Sequence, residues 1–187
     1  MNLKKTVVFA ALVGLGAVTV MTQSCSKNHD STPVAMTFYD TLGGTTMVND
    51  PAHSGTMIEK GRLGLRTVVD SAIFIIAVDA KINVYFKPLL TEVGAGNLSG
   101  FQTLSKNLTD FLCVATGAKN FTYSGKNMHD AHNPTGNPRM NGTATNADFD
   151  QFVVDVAASA KKNGLPDAII ARVGALLNTL KSTVVQR

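Results

Sequence analysis

Ala72-Ile73-Phe74-Ile75-Ile76-Ala77-Val78 is a run of apolar residues without interruption. Such a run suits either a buried strand or a buried helix, because periodicity cannot separate the two over so short a span. The neighbours arbitrate. No second run of similar quality exists to pair with it as a strand. Leu65, Val68, Val69, Ala72 and Ile76 recur at spacings of three and four, which places them on one face of a helix. The run is therefore read as part of a buried helix, and the chain as all-α.

Working outward, the same spacing recurs. Phe101, Leu104, Leu108, Phe111, Leu112 and Ala115 form a second stripe. Phe149, Phe152, Val153, Val156 and Ala160 form a third, and Ile169, Val173, Leu176, Leu177 and Leu180 a fourth. Boundary residues agree with these helices. Gly43-Gly44 stops a short first helix, Gly100 precedes the Phe101 helix and Gly117 ends it. Thr145 and Asp148 have capping-box spacing, Gly164 closes the helix they start, and Pro166 suits a first helical turn. Asn49 to Gly61, with Pro51 and Gly55, and Asn133 to Asn146, rich in Asn, Gly, Pro and Thr, read as loops. The expectation is a domain of roughly five to seven helices over residues 37–187.

The chain has 187 residues, 44% hydrophobic and 16% charged, enough to bury a core and too apolar for disorder. The formal net charge is +4, but Lys4 and Lys5 belong to a leader; without residues 1–24 the surplus is +2. That surplus, with no Lys/Arg-rich run, argues against a nucleic-acid partner. Residues 1–24 read as a signal peptide: Lys4 and Lys5 precede an uncharged stretch from Thr6 to Met21. At about 16 residues it is shorter than the roughly 20 that span a bilayer. Thr22-Gln23-Ser24-Cys25 follows and resembles a lipobox, although Thr22 departs from the usual aliphatic residue. The expectation is a lipidated Cys25, a polar tether over residues 25–36, and a lipid-anchored protein of the cell envelope facing the periplasm or exterior.

Candidate chemistry is sparse. Of four histidines, His29 lies in the tether and His53 in a loop. His129 and His132 stand three apart and, if helical, project to roughly the same side. Spacing alone leaves open two solvated histidines near a helix end, a zinc pair lacking further ligands, or a single axial ligand to haem iron. Cys113 reads as a buried core thiol, and Met128 as a core filler or a ligand. No catalytic nucleophile is suggested, and the chain is expected not to be an enzyme.

The order of these signals resembles a group 1 truncated haemoglobin. Phe38-Tyr39-Asp40-Thr41-Leu42-Gly43-Gly44 resembles the family's opening, and Val68-Val69-Asp70 the start of its second helix. Ile82-Asn83-Val84-Tyr85-Phe86 resembles the segment whose phenylalanine packs on haem. Phe111 to Gly117 resembles the end of the distal helix. Tyr123-Ser124-Gly125-Lys126-Asn127-Met128 followed by Ala131-His132 resembles the block ending in the proximal histidine. Asp148 to Phe152 and Gly164-Leu165-Pro166 resemble the last two helices. The resemblance covers about residues 37–180 and implies a two-over-two helical sandwich around haem.

The resemblance implies His132 as the iron ligand and Phe86 as the ring against the porphyrin. Tyr123 and Lys126 would lie near the haem propionates, and Met128 of the same block would be a haem-binding residue. Ile73 falls where the family often has a ligand-binding tyrosine, and Leu104 and Leu108 where a glutamine commonly faces the ligand. Losing such a donor costs about 1.5–3 kcal/mol of oxygen binding. The expected distal wall is therefore largely apolar, lined by Ile73, Leu104 and Leu108. The implied function is binding of a diatomic gas (O2, CO or NO) at five-coordinate iron; the chain identifies no redox partner. A haem-free helical lipoprotein serving as a binding or structural module is the alternative.

Overall fold

The computed structural model describes residues 36–187; the segment read as a signal peptide, Cys25 and most of the stretch read as a tether lie outside the described residues. Helix α1 (Phe38–Thr41) opens on a capping box, with Thr37 Oγ1 accepting from the Asp40 amide and the Asp40 carboxylate accepting from Thr37. Gly43 and Gly44, both at positive φ, then turn the chain away. Strands β1 (Met47–Asn49) and β2 (Met57–Glu59) pair antiparallel, Val48 opposite Ile58. They lead into α2 (Lys60–Val78). A 3₁₀ turn (Asn83–Phe86) precedes α3 (Lys87–Gly94), α4 (Ser99–Ala115) and the one-turn α5 (Met128–Ala131). The chain closes with α6 (Asn146–Lys162), α7 (Asp167–Asn178) and α8 (Lys181–Val184).

The four long helices pack two over two. Helix α2 lies against both α4 and α6, and α6 against α7. The core between them gathers Leu65, Val69, Ala72, Ile73, Leu112, Val156, Val173 and Leu177, so each apolar stripe read from the sequence contributes. The arrangement is the two-over-two helical sandwich that the resemblance implied.

Three local expectations need correction. The segment read as a loop from Asn49 to Gly61 contains β2, and with β1 it forms a hairpin. Three-residue strands are too short to alternate visibly, and Pro51 and Gly55 belong to the turn between them. That turn is fastened to α2 by Arg66, whose Nη1 and Nη2 donate to the Asp50 carboxylate at 3.0 and 2.6 Å. The helix through Ala72 to Val78 is not buried all round: Phe74 is 66% and Val78 81% exposed. Pro166 is the residue before the first turn of α7 rather than within it. The capping box at Thr145 and Asp148 stands as read.

Helix α4 inverts the usual arrangement. Its most buried residues beyond Leu112 and Cys113 are Ser105, Thr109 and Asp110. Asp110 is held by Arg62 from α2 at 2.6 Å and by Lys106 at 2.7 Å. Ser105 donates to Asp70 at 2.5 Å. Small and hydrogen-bonded polar side chains let α2 approach closely. The large apolar residues of α4, Phe101, Leu104, Leu108 and Phe111, are only partly buried.

Candidate functional site

Of those half-covered residues, Phe101 packs against Phe74, whereas Leu104, Leu108 and Phe111 face a cavity of about 250 Å³. Helix α2 supplies Ile73, Ile76 and Ala77 to it, and α4 supplies Leu104, Leu108 and Phe111. Phe86 comes from the 3₁₀ turn, Leu89 and Leu90 from α3, Met140 from the loop after α5, and Phe152 from α6. A second hollow of about 90 Å³ shares Phe86, Leu108, Phe111, Met128, His132, Met140 and Phe152 with it, and extends toward Phe149, Leu177 and Val184. The two form one apolar recess, with His132 on the wall common to both.

The segment carrying His132 is built for a fixed geometry. Tyr123 folds back so that its hydroxyl donates to the Lys126 carbonyl at 2.5 Å, and its ring meets Phe111 edge-on at 5.6 Å. The ring lies across Gly125, where a Cβ would come within 2.6 Å of it, so a residue without a side chain is required there. Asn127 caps α5, its side-chain oxygen accepting from the Asp130 amide at 2.8 Å. The C-terminal tail ties down the other side: Gln186 donates to the His129 carbonyl and accepts from Asn133.

His132 follows α5 directly. Its Nδ1 lies 2.8 Å from the Met128 carbonyl oxygen. A carbonyl can only accept, so Nδ1 carries the proton and Nε2 presents its lone pair. No group among the described residues bonds Nε2. Burial pushes the imidazole pKa below its ordinary value, against the smaller opposing pull of the Met128 carbonyl. The ring is thus a neutral donor at pH 7, the form that ligates a metal. His129 goes elsewhere: it is exposed and pairs with Asp130 at 3.1 Å. The two histidines do not share a side, because His132 sits where the helix has already ended.

All eight residues singled out for the site, Ile73, Phe86, Leu104, Leu108, Tyr123, Lys126, Met128 and His132, line this one cavity. Sequence reasoning missed four polar neighbours, Thr103, Asn107, Asn137 and Arg139. The Thr103 hydroxyl is spent on the Ser99 carbonyl and the Asn137 amide on the Ala131 carbonyl. Asn107 could have been found by helical spacing, one turn from Phe111. Arg139 could not, since it lies in an irregular loop. Among the described residues no three His, Cys, Asp or Glu side chains converge as a metal-binding group. Cys113 is fully buried and its thiol is pushed up to about 11 by burial, so it offers no nucleophile.

No protein-family model matches the chain, and no curated protein matches it in sequence. Solved structures do. Truncated hemoglobin from Tetrahymena pyriformis in its Fe(III) form matches with a TM-score of 0.56 at 23% identity, over 81% of this chain and 99% of that one. Two point mutants of the same hemoglobin, also Fe(III) forms, match with TM-scores of 0.57 and 0.55 at 22% and 21% identity, with the same coverage. The likeness places the chain in the truncated-globin fold.

Proposed function

We propose that the recess holds haem, with His132 Nε2 as the protein ligand to iron, and that the domain binds a diatomic gas. One observation carries this: a neutral imidazole whose Nε2 has no partner among the described residues stands in a recess walled by large, only partly buried apolar side chains. A cation held by one protein nitrogen needs its remaining ligands from a partner such as a porphyrin. The residues suit that group. Phe86, Leu104, Leu108, Phe111, Met128 and Phe152 offer an apolar slot, and the exposed Lys126 at the rim offers a charge to a propionate.

When bound, haem iron supplies an open coordination site for O2, CO or NO. The protein does the rest. Met128 fixes the His132 tautomer and ring orientation through its carbonyl. Ile73, Leu104 and Leu108 make their part of the wall apolar, and Asn107 of α4 is the polar side chain beside them. A ligand such as CO, which depends little on a donor, suits this wall better than oxygen. Spectrophotometric titration of the purified protein with hemin tests the reading. A Soret band saturating at one equivalent is expected, lost in His132→Ala and kept in His129→Ala. Hemin binding unaltered by His132→Ala would overturn the assignment.

The membrane tether belongs to the same proposal and rests on the sequence around Cys25 alone. No described helix is long and apolar enough to cross a membrane. Radiolabelled palmitate should be incorporated by the full chain in a lipoprotein-processing host and be absent from Cys25→Ala; label retained by that variant would refute it.

A further inference from the structure

One side of the recess is closed by two elements outside the four-helix sandwich. Helix α3 has a single buried residue, Leu89, and runs into an exposed turn, Gly94-Ala95-Gly96-Asn97, with Gly96 at positive φ. The loop after α5 is fixed at Asn137, which donates to the Ala131 carbonyl, and at Asn141, which donates to the Tyr85 and Val84 carbonyls. Arg139 stands between these anchors. It lines the cavity yet its side chain is 45% exposed, which puts it at the rim. Its Nε donates to both carboxylate oxygens of Glu92, at 2.9 and 3.1 Å. Among the described residues this is the only side-chain bond between α3 and that loop.

We infer that the Glu92–Arg139 pair is a latch across the mouth of the recess, and that releasing it lets α3 swing and an apolar ligand pass. The inference keeps its meaning whether the occupant is haem or another apolar molecule, though it rests on the recess being a ligand site. The path of the latch is visible in Gly100, on the first turn of α4. A Cβ there would collide with the Glu92 carboxylate and come within 2.8 Å of Leu89 and 3.0 Å of Arg139 Nε. The latch therefore lies against the α4 backbone, and a side chain at this position would push the ends of these side chains aside. An element with so little buried surface opens at low cost, and a charge pair at its edge sets the rate.

The test measures release of Nile red, a neutral apolar dye, from the hemin-free full chain by stopped flow, alongside transfer of hemin to apomyoglobin. Glu92→Gln and Arg139→Gln should each speed dye release about two- to fivefold. The double variant should be no faster than either single one. Gly100→Ala removes no charge but pushes Glu92 and Arg139 from their positions, so it should speed release as well. High salt should accelerate the wild type and not the double variant. Wild-type release rates in Glu92→Gln, or single effects that multiply in the double variant, would overturn the latch. Failure of every protein to take up hemin, with dye rates altered as stated, would leave the latch standing and remove the haem reading instead.

Discussion

The two faces of α4 obey opposite rules. The face toward α2 is polar in composition and fully closed: Ser105, Thr109, Asp110 and Cys113 are buried and mostly bonded. The face carrying Phe101, Leu104, Leu108 and Phe111 is apolar and left half open. In a helix selected only for stability the larger apolar side chains would take the closed position. Leu104, Leu108 and Phe111 lie over the recess, so one face of α4 holds the sandwich together and the other lines the cavity. Mutations on the two faces should therefore separate binding from stability.

The largest effect on binding is expected on the open face. Leu108→Asp sets a carboxylate against the apolar recess, and hemin affinity should fall at least about tenfold, since an uncompensated charge there costs more than ~1.4 kcal/mol. Its unfolding free energy should change less than its hemin affinity, because the side chain is only partly buried and lines the recess. A titration showing unchanged hemin affinity would erase the contrast between the faces.

The closed face should give the reverse. Asp110→Ala strands Arg62 beside Cys113, and urea denaturation should show a loss of about 2–3 kcal/mol. The effect is pH-dependent in a definite sense. Burial alone would raise the Asp110 pKa, but hydrogen bonds from Lys106 and Arg62 outweigh it and hold the carboxyl below its ordinary value. Its contribution is then complete above the unfolded carboxylate value of about 3.9 and is lost as pH falls through the lower folded value. The gap between wild type and Asp110→Ala should accordingly shrink below about pH 4. A gap that widens in acid would contradict the pairing.

The smallest expected effect sharpens the same contrast. Thr109 is fully buried and its hydroxyl has no partner among the described residues. Thr109→Val removes that unmet group at nearly constant volume and should stabilise the protein by about 1 kcal/mol. Equilibrium unfolding in urea measures it, and a clear loss of stability would mean that the hydroxyl is bonded after all.

How much of this was legible beforehand follows from periodicity. Stripes such as Leu65 to Ile76 and Phe149 to Ala160 repeat over several turns, so the long helices were readable, as was the capping box at Thr145 and Asp148. The site residues came from the family resemblance, carried onto the Tyr123 to His132 block, onto Ile73 and Phe86, and along α4, and the cavity gathers them. Short or irregular features carried no such signal. Strand β2 hid between Gly55 and α2, and Arg139 reached the cavity from a loop with no period. Nor could spacing separate His129 from His132. That distinction depends on α5 ending at Ala131, so that one ring turns to solvent and the other inward.

The most direct test of the whole account is the resonance Raman spectrum of the ferrous, hemin-reconstituted protein. An iron–imidazole stretching band is expected in the wild type, absent from His132→Gly and restored by added free imidazole. The same band persisting in His132→Gly without imidazole would show that another side chain holds the metal.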